Sequence, residues 1–105
     1  MIKFDDFKKL EIKVGRILDV KDHPNADKLY LINVDTGEKR RLVAGIKKDY
    51  SKEELIGKKI IVICNLEQRE IRGIKSEGML LAAQEGNIVS LLTVDRDVKE
   101  GSKIS

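Results

Sequence analysis

Three cationic side chains recur at every third position of one polar stretch, residues 65–78, and their chemistry suits phosphate. These cations are Arg69, Arg72 and Lys75. Guanidinium groups held in fixed positions bind phosphate oxygens through paired N–H donors. Acidic residues alternate with the cations, at Glu67, Glu70 and Glu77. A solvated loop of mixed charge is therefore an equally good interpretation. Ile71 and Ile74 favour phosphate binding, because apolar side chains could fix this loop against the rest of the domain.

A second candidate is the segment His23–Lys28, which contains the only proline of the chain. Pro24 fixes its own backbone and drives His23 toward extended geometry, while Asn25 and Asp27 can bond neighbouring amides. These residues by themselves favour a rigid turn without a ligand. The functional alternative is a preset loop that presents His23, Asn25 and Lys28 to a phosphate backbone.

The third candidate is Ser76–Met79, at the start of a predicted strand. Gly78 permits close backbone approach. Met79 would contact a base or a ribose if it faced outward, and would fill a gap if it faced the core. The residues alone favour the core.

Several classes of chemistry are excluded by counts of residue types. One His and one Cys cannot supply the four ligands of a structural zinc site. The sequence also indicates no partner with which His23 could form a nucleophilic catalytic site. We expect no metal and no cofactor. The apolar run around Cys64 predicts a buried thiol, and the absence of a long apolar stretch predicts a cytoplasmic protein without a membrane partner. The net charge of +3 is too small for binding of polyanions by charge density alone.

The hydrophobic pattern predicts the strands that must position these groups. Period-two alternation begins at Ile12 and places Ile12, Val14, Leu18 and Val20 on one face, with a bulge or coil at Gly15. Further strands are predicted at 29–34, 40–46, 60–64, 79–83 and 88–94, and 60–64 is apolar on both faces.

Turns and helices complete this pattern. Asp35–Glu38 is typical of a hairpin turn, and Asp5–Leu10 could form one docked helical turn. A capping box at Ser51 and Glu54 predicts a short helix that Gly57 ends. The fold class is therefore all-β. The order indicates a five-stranded Greek-key barrel of the oligonucleotide/oligosaccharide-binding (OB) type, with a helix between strands three and four. An SH3-like barrel is the competing prediction.

Aromatic residues are scarce, and only Tyr30 falls in a strand of the predicted binding face. Barrels that bind single strands stack bases on aromatic side chains. A folded RNA recognised through its backbone and shape fits this composition better.

Several motifs together resemble the tRNA-binding domain family, the OB-fold module of methionyl-tRNA synthetases, stand-alone tRNA-binding proteins and synthetase cofactors. The resemblance runs from Phe7 through Ala83. Its motifs are Val14–Ile17, His23–Tyr30, Val43–Ile46, Glu54–Lys58, Asn65–Leu66 and Arg72–Ala83.

This resemblance implies a non-catalytic, structure-specific binder of the outer corner of tRNA, with little sequence preference. The family's binding surface corresponds to Lys28, Asn65, Arg72, Lys75, Ser76 and Met79, with His23 and Asn25 on the adjoining loop. Charge and position add Arg41 and Arg69. Methionyl-tRNA synthetase is a possible partner, as beta subunit or C-terminal-type module.

The resemblance also implies a homodimer. We expect one domain over 1–105, with a barrel core at about 12–83 and a C-terminal dimerisation extension at about 84–105, since the apolar run Ile88–Val94 follows the barrel strands. Two alternatives stay open. One is an export-related, peptide-binding chaperone dimer of the same fold, and the other is a subunit that tethers a synthetase without touching RNA.

Overall fold

The computed structural model describes residues 1–105, which form two short helices and nine strands. The helices are α1 (Phe4–Lys8) and α2 (Lys52–Leu55). The strands are β1 (Ile12–Asp22), β2 (Tyr30–Asp35), β3 (Lys39–Ala44), β4 (Lys59–Ile63), β5 (Arg69–Ile71), β6 (Ile74–Ser76), β7 (Met79–Leu80), β8 (Ala82–Glu85) and β9 (Ile88–Leu91). Neither helix has the length and apolar character needed to cross a membrane.

Five antiparallel strands form a nearly closed barrel. Their order in the sheet is β3-β2-β1-β4-β7, and β3 also contacts β7, so the two edges of the sheet approach each other. Helix α2 lies between β3 and β4 in the chain, as predicted. The capping box that begins it is present, with the Ser51 hydroxyl accepting from the Glu54 amide and the Glu54 carboxylate accepting from the Ser51 amide. The OB-type barrel is confirmed.

The irregularity in strand β1 lies at a different residue from the one predicted. Its register with β2 shifts between Ile17 and Asp19, so the bulge lies at Leu18 and not at Gly15. The bulge reverses the alternation, because Ile17 and Val20, three positions apart, lie in the same core while Leu18 is exposed. The predicted shared face is therefore wrong, since Ile12 and Val14 belong to a different core from Val20. Gly15 serves close packing instead, since a Cβ there would lie 2.7 Å from Val34 Cγ2.

Strand β4 is buried on both faces, as its apolar run predicted. Ile60 and Val62 join the main core inside the barrel, together with the buried free thiol of Cys64. Ile61 and Ile63 face the other way and join a second, smaller core.

The second core is covered by the end of the chain. Its buried members are Ile12, Val14, Ile61 and Ile63. Val94 and Ile104 pack over them, and the Ile104 amide donates to the Ile12 carbonyl at 2.9 Å. We call residues 93–104 the C-terminal strap.

Three local predictions need correction. The stretch predicted as one polar loop contains the β5–β6 hairpin. The strand predicted at 79–83 is divided, since β7 pairs with β4 while β8 pairs with β9. The helical turn at the N-terminus is formed as α1, but it is not docked, because it has no buried residue and Phe4 is 72% exposed.

An ion-paired carboxylate at the end of β1 gives a prediction for the pH dependence of stability. Asp22 accepts a hydrogen bond from Lys52 Nζ at 3.0 Å and lies 3.2 Å from Lys47 Nζ, and these two contacts lower its pKa below the ordinary 3.8. A lowered pKa in the folded state stabilises the fold above the unfolded-state value, and this stabilisation is lost as pH falls through the folded-state pKa. We therefore expect the unfolding free energy of Asp22→Asn to fall less steeply than that of the wild type between about pH 5 and about pH 2.5. Urea melts across this range measure it, and parallel profiles would contradict it.

Candidate nucleic-acid interface

The β5–β6 hairpin is held against β3 by two residues at its end. Ser76 is 6% exposed, and its hydroxyl accepts from the Val43 amide at 3.0 Å and donates to the Gly78 carbonyl at 3.0 Å. The Glu77 carboxylate accepts from the Arg41 amide at 2.9 Å, and the Glu77 amide donates to the Arg41 carbonyl at 2.8 Å. Ser76 and Glu77 thus satisfy backbone groups of β3 that no neighbouring strand would otherwise pair.

The loop between β1 and β2 is bonded to the same hairpin. His23 is buried, its Nδ1 accepts from the Asn25 amide at 3.0 Å, and its Nε2 lies 3.0 Å from the Ile71 carbonyl oxygen. Because Nδ1 accepts, Nε2 carries the proton and donates to Ile71. Asn25 Nδ2 donates to the Arg72 carbonyl at 3.2 Å. The predicted rigid turn is present, and its side chains fix the hairpin in place.

Arg72 occupies an unusual backbone position at the tip of the hairpin. It is the only residue other than glycine with positive φ, at 53°, and Gly73 follows with φ of 89°. A two-residue turn with positive φ at both positions favours Asn-Gly, because Asn tolerates this conformation better than Arg does. Arg72 therefore occupies a turn position that Asn would fill with less backbone strain.

The strain at Arg72 leads to a prediction. Arg72→Asn should leave the melting temperature unchanged or raise it, since Asn suits the turn and the side chain of Arg72 makes no ion pair. The same change should weaken RNA binding by removing one cation. Thermal melts and RNA titrations on one preparation measure both effects. A lower melting temperature, or unchanged binding, would contradict it.

The candidate cations are all exposed, and their side chains have no acidic partners. They are Lys28, Arg41, Arg69, Arg72 and Lys75, and none takes part in the seven ion pairs of the structure. Arg41 points outward because it pairs with Asn33 of β2 while its neighbour Leu42 faces the core. Unpaired cations keep their full attraction for phosphate, whereas ion-paired ones must first give up a partner.

The structural role of Arg40 was not predicted from the sequence. Its guanidinium bonds the Cys64 carbonyl at 3.1 Å, the Glu77 carbonyl at 3.2 Å and the Thr36 hydroxyl at 3.0 Å, and it also pairs with Glu38. Arg40 therefore ties β3 to the end of β4 and to the hairpin. The alternation of β3 contained the signal, because Arg40 is two positions before the inward-facing Leu42.

Two grooves lie on either side of β6. The polar groove, of about 600 Å³, is lined by Leu18, Asp19, Asn33, Lys39, Arg40, Arg41, Lys75 and Glu77. The apolar groove, of about 410 Å³, is lined by Val43, Leu66, Glu67, Arg69, Ile71, Ser76, Gly78 and Met79. Arg41 and Lys75 thus line the polar groove, and Arg69 and Met79 line the apolar groove. Lys28 and Arg72 line neither groove.

The structure places the side chains of Met79 and Tyr30 differently from what the sequence alone suggested. Met79 is 47% exposed in the apolar groove, so it faces outward and not into the core. Tyr30 lies in β2, within a strand of the predicted binding face, but its side chain is turned inward: Tyr30 is 4% exposed, belongs to the main core and donates to the Tyr50 carbonyl at 2.8 Å. Neither groove is lined by an aromatic side chain.

The side-chain amide of Asn65 is bonded to backbone. Its Oδ1 accepts from the Glu11 amide at 2.7 Å, and its Nδ2 donates to the Lys9 carbonyl at 2.6 Å. These bonds join the end of β4 to the segment between α1 and β1. In this structure Asn65, like His23 and Ser76, positions the backbone around the candidate surface.

Comparison with known proteins is consistent with this geometry. The tRNA binding domain family matches residues 12–103. Methionine–tRNA ligase of Pyrococcus horikoshii is 56% identical over 98% of this chain, which spans 14% of that enzyme's length. Among solved structures, the MetRS related protein of Pyrococcus horikoshii is 34% identical with a TM-score of 0.92, covering 100% of this chain and 98% of its own.

A chaperone has the same fold. The CsaA chaperone protein of Picrophilus torridus is 38% identical with a TM-score of 0.92, and the match covers 100% of both chains. This likeness shows that the fold is shared between proteins named for different activities. The match to the family over residues 12–103, together with the 56% identity, shows that this chain belongs to the tRNA binding domain family.

Proposed function

We propose that this chain is a non-catalytic module that binds folded tRNA, through phosphate contacts at the surface formed by β3 and the β5–β6 hairpin. The observation that carries this proposal is a set of exposed cations without acidic partners on β3 and the β5–β6 hairpin. Arg41 and Lys75 line the polar groove, Arg69 lines the apolar groove, and Arg72 lies at the tip of the hairpin. The hydrogen bonds from His23, Asn25, Ser76 and Glu77 support it, because they hold the hairpin and so fix the spacing between cations. Fixed spacing lowers the entropy lost on binding.

The absence of aromatic side chains from both grooves supports recognition of a folded RNA. Proteins that hold single strands gain roughly 1–3 kcal/mol for each base stacked on an aromatic ring, and neither groove offers one. Contacts to phosphates along a folded backbone require cations at fixed positions instead. We infer that the outer corner of tRNA is bound, with little preference among tRNA species.

The relatives suggest which enzyme this tRNA-binding activity would assist. A module that adds weak affinity for tRNA would assist a synthetase by raising the local concentration of its substrate. We propose that the chain serves methionyl-tRNA synthetase as a linked module or a separate subunit, in the cytoplasm where tRNAs are charged.

A gel-shift series tests the proposal against the chaperone alternative. The full chain is titrated into folded tRNA, into an unstructured RNA of equal length, and into a labelled unfolded peptide at the same salt concentration. We expect the tightest binding to folded tRNA. Tighter binding to the peptide would favour the chaperone alternative, and equal binding to both RNAs would contradict recognition of a folded shape.

We also propose that the chain forms a homodimer through its C-terminal part, about 84–105. Ile88 and Leu92 support this proposal, since they are 64% and 41% exposed around the β8–β9 hairpin while Leu91 between them is buried in the main core. Exposed apolar side chains at the end of a two-stranded ribbon favour association about a two-fold axis.

Substitution of the two exposed residues tests the dimer. The double variant Ile88→Asp/Leu92→Asp should be monomeric at micromolar concentration in light scattering, because a two-fold contact would bring four carboxylates together. Ile56→Asp is the matched control, because Ile56 is an exposed apolar residue outside this segment, at 51%. A monomeric wild type, or a double variant that remains dimeric, would contradict the proposal.

A further inference from the structure

The apolar groove has the size and lining of a site for one flat organic ring. Its volume, about 410 Å³, lies within the range of small-ligand pockets. Four of its lining residues are apolar, and two of these, Leu66 and Met79, are 39% and 47% exposed. Water in contact with this concave apolar surface is displaced favourably by a ligand with an apolar face. A thioether is also well suited to contact with an aromatic ring.

Two charged residues of the groove, Glu67 and Arg69, define the polar edge of that ligand. Neither takes part in an ion pair of the structure. A carboxylate only accepts hydrogen bonds, and it repels phosphate. Glu67 beside the proposed phosphate-binding surface is therefore best matched by a ligand that brings N–H donors to it.

Among the four RNA bases, guanine matches a carboxylate best. Its Watson–Crick edge presents N1–H and the N2 amino group side by side, and these two donors fit the two oxygens of one carboxylate. Unpaired bases of folded RNA are commonly read in this way, by hydrogen bonds to the Watson–Crick edge and contact with the ring face.

We propose that the apolar groove binds one unstacked guanine of the RNA. Met79 and Ile71 contact the ring, Glu67 accepts from N1–H and N2–H, and Arg69 contacts the nucleotide's own phosphate. The proposal rests on the proposed function, and the position of β6 supports it. Ser76 lines the apolar groove, while its neighbours Lys75 and Glu77 line the polar groove. The polar groove can therefore hold the phosphates of adjacent nucleotides.

The two methionines of the chain allow a direct test. Met1 and Met79 are the only methionines, and Met1 lies outside both grooves. In a full chain labelled at the methionine methyl groups, guanosine 5′-monophosphate should shift the NMR signal of Met79 and leave that of Met1 in place. Adenosine and cytidine monophosphates should bind roughly tenfold or more weakly, the discrimination expected of a bidentate contact. Equal responses to the three nucleotides, or no shift at Met79, would overturn the base site.

Variants separate the groove's ligand from the tRNA surface as a whole. Glu67→Gln should abolish the preference for guanosine monophosphate, because an amide offers one acceptor and one donor in place of two acceptors. Met79→Ala should weaken binding of both guanosine monophosphate and tRNA. A preference that survives Glu67→Gln would overturn the assignment, as would an unstructured peptide that shifts Met79 at lower concentration than the nucleotide does.

The proposed function and the base site fail in different ways. If tRNA binds, and Lys75→Glu weakens that binding while guanosine monophosphate leaves Met79 unshifted, the base site is wrong and the proposed function stands. If the wild-type chain binds no tRNA, both are overturned.

Discussion

Reversal of two charges on the hairpin, Arg72→Glu with Lys75→Glu, should reduce tRNA affinity by about thirtyfold or more at about 0.15 M salt. Each phosphate contact contributes about 0.9 to the slope of log affinity against log salt concentration, so the loss of two contacts removes about 1.8 from that slope. Repulsion between the new carboxylates and the phosphates adds to the loss. Both side chains are exposed and make no ion pair, so the fold should persist.

A second double reversal controls for net charge. Arg96 and Lys99 are exposed cations of the C-terminal strap without acidic partners, and Arg96→Glu with Lys99→Glu changes the net charge by the same amount. Binding titrations at several salt concentrations should give the control a slope close to that of the wild type. If both double variants lose the same affinity and the same slope, long-range charge and not the hairpin accounts for binding.

Removal of all residues after Ala83 should unfold the chain. Leu91 would be lost from the main core, and such a loss of one buried leucine costs about 2–5 kcal/mol. Val94 and Ile104 would be lost as well, which exposes Ile12 and Val14 of the second core. These losses together approach the total stability of an ordinary domain, about 5–15 kcal/mol.

Circular dichroism during heating measures the effect of this truncation. The truncated chain should show no cooperative transition, or one far below that of the full chain. Val98→Ser in the full chain is the control, because Val98 lies in the strap and is 40% exposed. The melting temperature of this variant should be close to that of the wild type. A truncated chain that melts cooperatively at the full-length temperature would contradict the role given to the strap. Tests of the dimer therefore need point substitutions at Ile88 and Leu92.

The sequence was informative about the fold wherever a single local rule decides the structure. Alternation and the apolar run of β4 predicted the barrel strands, and the capping box at Ser51 predicted α2. The bulge at Leu18 was misplaced because a bulge depends on how β1 crosses its neighbours, which no residue of β1 records. The hairpin β5–β6 was missed for a similar reason, since its turn has Arg72 where Asn is usual.

The charged residues of the candidate surface could be predicted from the sequence, but the residues that hold them in position could not. Arg69, Arg72 and Lys75 follow from spacing, and the structure leaves all three exposed. The positions of His23 and Ser76 depend on bonds to residues 48 and 33 positions away, so their internal partners could not be foreseen. The outward orientation of Met79 likewise follows from its place opposite Ile63 on the edge strand β7.

Mapping of the tRNA contact on the protein tests the central claim most directly. In a titration of the isotopically labelled full chain with folded tRNA, we expect backbone amide signals to change first at Arg41, Arg69, Arg72 and Lys75 and their immediate neighbours. Signals of α2 and of the C-terminal strap should stay in place. Changes concentrated on the strap or on the β8–β9 hairpin, with the β5–β6 hairpin unaffected, would contradict the account.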